Sequence, residues 1–315
     1  MAKIGVKMGA NHKELNLKST NHKAQKSRIL KVAVIQICPK PYALSENLNL
    51  AINLAKEANK KGANLIILPE LFDSGYCVSD KDAEFGIDFS AINRAKKGGK
   101  KAQKSQTYSY LSDFAKSSGV HIVACSIEKT SKYLYDTAYI ISPQGKLIGK
   151  HRKIYLWDKE KSRFYSGKKY EVFTLDFGGF KAKVGLQICY EVGFAVGANI
   201  LALQGAEILI YPSAFGKTRA YNWDLLSKAR ALENGCFVCA CNHSGAESNA
   251  KQKLEFAGDS RIISPQGKII KKTTKLNEVI IAAIDLSEVK TQREKIPYLK
   301  DFDTKLTKRS FGKFI

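Results

Sequence analysis

The chain has 315 residues, of which 44% are hydrophobic and 10% aromatic, so it holds enough apolar material for one large domain or two average ones. Its formal net charge of +23 admits a nucleic-acid-binding protein, although no nucleic-acid motif with aromatic platforms accompanies the charge. No apolar run of about 18 residues or more occurs, so we expect no membrane span, and seven irregularly spaced cysteines indicate a reduced, cytoplasmic protein rather than a disulfide framework.

Residues 1–28 are polar and basic, and they lack periodic apolar positions. Such a segment buries too little surface to offset the entropy lost on ordering, so we predict a disordered basic tail. No apolar core followed by a cleavage site occurs there, and we expect no secretory signal. The rest of the charge is spread along the chain, which favours a role in solubility. Nucleic-acid binding on an inactive enzyme scaffold remains the remote alternative.

The folded domain is expected over residues 29–288, followed by a basic extension over 289–315. The first strand is predicted at 31–37, and the next helix begins near the candidate N-cap Ser45 and stops at Gly62. The remaining elements of the first half, in order, are a strand at 63–68, a helix at 105–118, strands at 120–128 and 134–142, and a turn at 142–145.

The second half repeats the order of the first. Residues 205–213 (GAEILIYPS) echo 62–70 (GANLIILPE), and 262–270 (IISPQGKII) nearly copy 140–148 (IISPQGKLI). Matched blocks in matched order favour one domain built from two similar α/β halves. Because the predicted strands are almost continuously apolar, each sheet must be covered on both faces, and we predict a four-layer α-β-β-α sandwich. The predicted elements are strands at 183–188, 236–242, 257–264 and 279–284 and helices at 194–204 and 221–234.

Cys189 lies at the carboxyl end of one of these apolar strands, directly before a turn. Several enzyme folds hold a nucleophile at this position, where we expect an exposed thiol whose thiolate is favoured by the following helix. A buried core cysteine is the alternative. Glu70 ends the corresponding strand of the first half, and carboxyl ends of strands are where ligands bind in α/β sheets, so we expect the two residues to meet.

A cysteine nucleophile needs a base and a group that stabilises the oxyanion. The histidines lack metal-ligand spacing, so we do not expect a zinc hydrolase. Glu70 is the candidate base because burial should raise its pKa, although it could serve as a helix cap or ion-pair partner. The candidate cation lies in the basic run 150–153, which could also be a solvated face. The cysteines at 236–241 fit a core strand better than a metal or redox site.

Together these stretches resemble the nitrilase, or carbon–nitrogen hydrolase, superfamily over about residues 30–300. The three motifs that match in order are Leu68-Pro69-Glu70-Leu71-Phe72, His151-Arg152-Lys153-Ile154-Tyr155-Leu156 and Gln187-Ile188-Cys189-Tyr190-Glu191. Further matches are Glu160 with Phe164 and Gly167, and the blocks 203–215, 229–234 and 256–260. The long basic N-terminus and the lysine-rich segment 96–104 depart from the family pattern.

The resemblance implies an α-β-β-α sandwich that forms a homodimer or higher homo-oligomer. It also implies hydrolysis of a linear amide, carbamoyl or nitrile group without a metal or cofactor. Glu70 is then the general base, Cys189 the nucleophile and Lys153 the oxyanion stabiliser. The backbone N–H of Tyr190 assists Lys153, and Glu160 orients it.

The substrate is expected to be a small amide that loses ammonia through a thioester, as in the amidase-like branch. An N-carbamoyl amine is the alternative, and Tyr190 after the cysteine makes a nitrile less favoured. Glu191 could attract a substrate ammonium or cap a helix. The residues expected to line the pocket, or alternatively to lie in the core or at the surface, are Tyr76, Trp157, Tyr190, Glu191, Phe194 and Phe215.

Overall fold

The computed structural model describes residues 28–95, 105–250 and 253–312. The predicted disordered tail, apart from Arg28, and the lysine-rich segment 96–104 therefore lie outside the described residues. Arg28 itself forms an ion pair with Glu207, at a nitrogen–oxygen distance of 2.7 Å.

The described residues form strands and helices in the alternating order that the sequence predicts. The strands are β1 (Ile29–Gln36), β2 (Leu65–Ile67), β3 (His121–Lys129), β4 (Leu134–Ile141), β5 (Leu147–Arg152), β6 (Val172–Asp176), β7 (Lys181–Leu186), β8 (Ile208–Ser213), β9 (Phe237–Asn242), β10 (Ala246–Ser248), β11 (Lys253–Glu255), β12 (Ser260–Ile263), β13 (Ile269–Thr273) and β14 (Glu278–Asp285). The helices are α1 (Leu44–Lys60), α2 (Asp82–Phe85), α3 (Phe89–Ala95), α4 (Gln106–Ser118), α5 (Glu160–Arg163), α6 (Ala195–Leu203), α7 (Ala220–Asn234), α8 (Ser287–Lys295), α9 (Tyr298–Asp301) and α10 (Thr304–Phe311).

Two mixed sheets have the same layout. The strand order is β14-β1-β2-β3-β4-β5 in one and β6-β7-β8-β9-β12-β13 in the other. In each sheet three central strands are parallel, and the strands on either side of them are antiparallel. Strand β14 comes from the far end of the domain, yet it pairs with β1 along its whole length, from Ile29 opposite Asp285 to Gln36 opposite Glu278.

The repeated SPQG segments occupy equivalent turns. The first joins β4 to β5 and the second joins β12 to β13, and both pairs show a register shift beside the turn. Gly145 and Gly267 have φ angles of 70° and 75°, a left-handed conformation that glycine adopts without steric cost. The internal repeat therefore corresponds to a repeated three-dimensional unit.

The sheets pack face to face between outer helices. The largest apolar cluster joins the inner faces, with Val34 and Ile67 on one sheet and Leu186 and Ile210 on the other. A second cluster joins the outer face of the first sheet to α1 and α4. Helices α6 and α7 cover the second sheet. The predicted four-layer α-β-β-α sandwich is confirmed. The cysteines of β9 are fully buried in this core.

Two boundaries differ from the sequence-based expectation. Helix α1 begins at Leu44 and is preceded by Ala43, so Ser45 lies inside its first turn and is not the N-cap. Helix α8 crosses the expected boundary at residue 288, and its Val289 and Gln292 are buried. No described helix combines the length and apolar character needed to cross a membrane.

Candidate active site

Cys189 lies just past the end of β7, at the start of the tight turn Cys189–Gly193. Its φ angle of 47° falls in the left-handed region, which is strained for a residue with a side chain and recurs at functional sites. The residue is only 7% exposed. Burial raises the pKa of the Cys189 thiol well above its usual value, the Glu70 carboxylate adds to this, and Lys153 opposes it. The expectation of an exposed thiol with a favoured thiolate is therefore wrong.

Glu70 and Lys153 form a buried ion pair. Glu70 follows β2 and Lys153 follows β5, and Lys153 Nζ lies 2.6 Å from Glu70 Oε1. The second oxygen of Glu70 accepts a hydrogen bond from the backbone N–H of Ala214, at 2.6 Å. Both charged side chains are fully buried, so an apolar surrounding strengthens their interaction. The carboxyl end of β8 in the second sheet thus contacts Glu70 from the first sheet.

Two further acids surround the Lys153 ammonium. Glu160 Oε1 lies 2.8 Å from Lys153 Nζ and Asp136 Oδ2 lies 3.4 Å from it. Ligand atoms of Glu70, Asp136 and Glu160 all lie within 4.8 Å of one another, an arrangement that could also hold a metal ion. Here the ammonium group lies among them. Burial opposes the charge of Lys153, but the carboxylates outweigh it and raise its pKa well above the usual value.

The carboxyl group of Glu70 is suited to accept and return a proton. Its pKa is raised to about 7, because burial, the largest influence, and the nearby Asp136 raise it by more than the ion pair with Lys153 lowers it. A group that titrates near neutral pH exchanges protons with a bound substrate efficiently.

Glu160 connects the ammonium group to the cavity wall. Its Oε1 accepts a hydrogen bond from Tyr76 OH at 2.6 Å, and its Oε2 accepts one from the backbone N–H of Trp157 at 2.8 Å. The Gly167 N–H donates to Lys153 O at 2.8 Å. A Cβ atom on Gly167 would lie 2.0 Å from Arg152 O, so only glycine allows this contact. Glu160 and Gly167, which both match the family pattern, therefore fix the position of Lys153.

Beside Cys189 lies a cavity of about 290 Å³. Its lining is mostly aromatic and apolar, which is typical of a site for a small molecule. It is lined by Tyr76, Trp157, Cys189, Tyr190, Gly193, Ala214, Phe215, Arg219, Asn222 and Leu226. Tyr76, Trp157, Tyr190 and Phe215 thus lie where the sequence predicts a pocket. Phe194 stacks on Tyr155 outside this lining, with ring centres 3.7 Å apart.

Glu191 lies outside the cavity lining and is fully buried. Its Oε2 lies 2.8 Å from His151 Nε2 and accepts the Ile188 N–H at 2.8 Å. Its Oε1 accepts the Ile154 N–H at 3.1 Å. The carboxylate thus holds the turn Cys189–Gly193 against the segment that carries Lys153. This geometry does not fit the expectation that Glu191 faces a substrate.

Sequence reasoning missed three features of the site. Asp136 is the only acid in the mostly apolar strand β4, and an isolated acid in a buried strand could have marked it as a candidate site residue. Arg219 had no such signal, because it follows β8 in a polar turn. Glu247 lies in the short strand β10 and accepts hydrogen bonds from the backbone N–H groups of Tyr76 and Cys77, at 2.7 and 3.0 Å.

Comparison with known proteins shows the family of the chain. A family model described as carbon-nitrogen hydrolase matches residues 31–294. The chain belongs to the carbon–nitrogen hydrolase family. The predicted superfamily is therefore confirmed.

Relatives and solved structures cover most of the chain. A nitrilase of Pyrococcus abyssi is 34% identical over 84% of this chain and 93% of its own length. The omega-amidase NIT2 of Xenopus tropicalis is 34% identical over 85% of this chain and 92% of its own. The structure of Saccharomyces cerevisiae Nit3, a nitrilase-superfamily member, matches with a TM-score of 0.74 and 29% identity, covering 85% of this chain and 94% of that one. The carbon–nitrogen hydrolase described here is thus an amidase-type hydrolase.

Proposed function

We propose that the protein hydrolyses the C–N bond of a small linear amide through a thioester on Cys189, with Glu70 as general base and Lys153 as oxyanion stabiliser. The observation that carries this proposal is the buried Glu70–Lys153 pair next to a cavity that Cys189 lines. The names of the omega-amidase relatives support an amide rather than a nitrile as substrate.

In the first step Glu70 accepts the thiol proton while the sulfur of Cys189 attacks the amide carbon. Protonation removes the charge of Glu70, so the Lys153 ammonium loses one ion-pair partner as the oxyanion forms. Lys153 and the backbone N–H of Tyr190 then stabilise the negative oxygen. When the tetrahedral intermediate collapses, protonated Glu70 gives its proton to the nitrogen, and ammonia leaves.

In the second step water hydrolyses the thioester. Glu70 accepts a proton from water as the oxygen attacks the thioester carbon, and Lys153 again stabilises the oxyanion. Collapse releases the carboxylic acid, and the proton on Glu70 returns to the sulfur of Cys189. One glutamate thus acts as base and acid in both steps, and Glu160 acts as a positioning residue for Lys153.

Ammonia release from a panel of small linear amides tests this function. We expect the wild-type protein to release ammonia and the Cys189→Ala variant to lose at least ~10³-fold of the activity, because the thioester cannot form. Cys38→Ala serves as the control, since Cys38 is a free, half-buried thiol that does not line the cavity. Full activity in Cys189→Ala would exclude the proposal.

We also propose that the protein forms a homodimer through α6 and α7. Both helices expose large apolar side chains, which are Val196, Leu203, Tyr221, Leu225 and Leu232. Sedimentation equilibrium should show dimers that Leu225→Glu dissociates. The control is Leu276→Glu, because Leu276 is equally exposed, at 61% against 62% for Leu225, but lies outside these helices.

Seven free cysteines support a reducing compartment such as the cytoplasm.

A further inference from the structure

The wall of the cavity beside Cys189 carries a guanidinium group. Arg219 ends the turn Lys217–Arg219 between β8 and α7, and its side chain is half-buried. Its Cζ lies 4.6 Å from the ring centre of Trp157 and 5.9 Å from that of Phe215. Both rings also line the cavity. Contact with aromatic faces restricts the guanidinium while leaving its N–H groups available to a ligand.

The N–H donors of Arg219 are not used by the described part of the protein. Within residues 28–95, 105–250 and 253–312, its guanidinium has neither an ion pair nor a hydrogen-bond acceptor. The acids of adjoining segments are engaged elsewhere: Glu255 contacts Lys217 at 3.3 Å, and Asp224 contacts Arg261 at 2.6 Å. A planar fork of five donors matches a carboxylate through two parallel hydrogen bonds. A half-buried fork with free donors in a substrate-sized cavity therefore fits an anionic group of the ligand.

We propose that Arg219 binds a carboxylate at the end of the substrate remote from its amide, so that the substrates are short linear amides that end in a carboxylate. This inference rests on the hydrolysis proposed above. The cavity of about 290 Å³ admits only a small molecule. The same guanidinium repels an ammonium group, which opposes the alternative of an N-carbamoyl amine.

Three amides with the same three-carbon arm provide the test: glutaramate, which ends in a carboxylate, butanamide, which is neutral, and 4-aminobutanamide, which ends in an ammonium. We expect kcat/KM to be ~10–10²-fold higher for glutaramate than for butanamide, because one charge-assisted pair contributes about that factor. The amine should be the poorest substrate. Arg219→Met should lower the glutaramate-to-butanamide ratio by the same factor, and Arg219→Glu should favour the amine over glutaramate.

Lys217→Met is the matched control. Lys217 belongs to the same turn and also carries a positive charge, but it is exposed and paired with Glu255 outside the cavity. The control should keep the wild-type ratio. An Arg219→Met variant that also keeps the ratio, or a wild-type enzyme that hydrolyses all three amides equally well, overturns the role of Arg219. Failure of the wild type to hydrolyse any of the amides would instead count against the proposed function.

Binding of glutarate, the product, separates recognition from catalysis. Calorimetric titration of the Cys189→Ala protein should show glutarate binding that is ~10–10²-fold weaker when Arg219→Met is added. Equal affinity with and without Arg219, or no binding to either protein, overturns the proposal whatever the outcome of the activity measurements.

Discussion

Burial and the Lys153 ammonium act in opposite directions on the pKa of the Glu70 carboxyl group. Burial raises its pKa, Lys153 lowers it, and the result is a pKa of about 7. The carboxylate form is needed to accept the thiol proton, and the pKa of Cys189 is itself raised by burial. In the proposed mechanism the thiol therefore depends on Glu70 for its activation.

The pH dependence of activity follows from this pKa. Below pH 7 Glu70 is increasingly protonated and cannot accept a proton, so kcat/KM on a neutral amide should fall ~10-fold per pH unit on the acid side, with a midpoint near 7. A steady-state pH profile with butanamide measures this, since the charge of that substrate does not change. A midpoint at 4.5, the ordinary value for a glutamate, would contradict the assignment of Glu70.

Replacing Glu160 tests its positioning role. Glu160→Gln keeps the shape of the side chain but removes one negative charge next to Lys153, 2.8 Å from its Nζ. We expect kcat to fall by ~10–10²-fold with little change in KM, because a displaced ammonium stabilises the oxyanion less well. Tyr76→Phe removes only a hydrogen bond to the same carboxylate and should reduce kcat less. A larger loss in Tyr76→Phe than in Glu160→Gln would contradict this role.

At the residue scale, motif order identified Glu70, Lys153, Cys189 and Glu160 as candidates before their contacts were known. Their distances could not be predicted, because Glu70 and Lys153 are 83 positions apart and meet only through the strand order. For Glu191 the sequence left a substrate contact and a cap open, and the structure has the cap. An acid after a nucleophile can face a ligand or hold its own turn, and its partner His151 lies 40 positions away.

At the scale of elements, the two SPQG turns allow a matched comparison. A Cβ atom on Gly145 would lie 2.7 Å from Ser112 O, whereas one on Gly267 would lie 3.4 Å from Leu232 Cβ. Both glycines have positive φ, so alanine is strained at either position. We expect Gly267→Ala to lower the free energy of unfolding by about 1 kcal/mol and Gly145→Ala by about 2–3 kcal/mol. Urea unfolding monitored by circular dichroism measures both, and equal losses would contradict the clash.

Local signals predicted helices α1, α4, α6 and α7 and most strands of the two sheets. Helix α4 begins after Ser105, whose side chain accepts a hydrogen bond from the Tyr108 N–H, and ends at Gly119 in the left-handed conformation, as its sequence indicates. Strands β10 and β11 were missed, since three residues each carry no periodicity and depend on the pairing between them. Helix α8 was missed because its buried residues are few and most of its surface is polar.

At the scale of the molecule, the repeat predicted two similar halves. It did not predict which strand supplies the antiparallel neighbour of the first parallel strand in each sheet. In the second half the antiparallel edge strand β6 directly precedes β7, whereas the first half takes β14 from the end of the domain. Such a pairing between distant segments leaves no local trace in the sequence. The sequence could not predict that α8 extends past residue 288 for the same reason, because α8 is held by contacts with residues distant in the chain.

Truncation measures where the domain ends. Arg293 in α8 donates hydrogen bonds to Ala206 O and Asn234 O, at 2.7 and 3.1 Å, and Val289 is buried. A chain ending at Leu286 should therefore lose about 3 kcal/mol of stability, roughly 6 °C in melting temperature. A chain ending at Asp301 removes α10, whose described side chains are mostly exposed, and should melt within about 2 °C of the full chain. Equal melting temperatures for the two truncations would show that α8 is dispensable.

Mass spectrometry of the protein quenched with acid during turnover of a small amide tests the central claim most directly. The account predicts that the peptide carrying Cys189 gains the mass of the substrate minus ammonia, and that the Cys189→Ala protein shows neither this adduct nor ammonia release. Undiminished hydrolysis by Cys189→Ala, or an acyl adduct on a different residue, would contradict it.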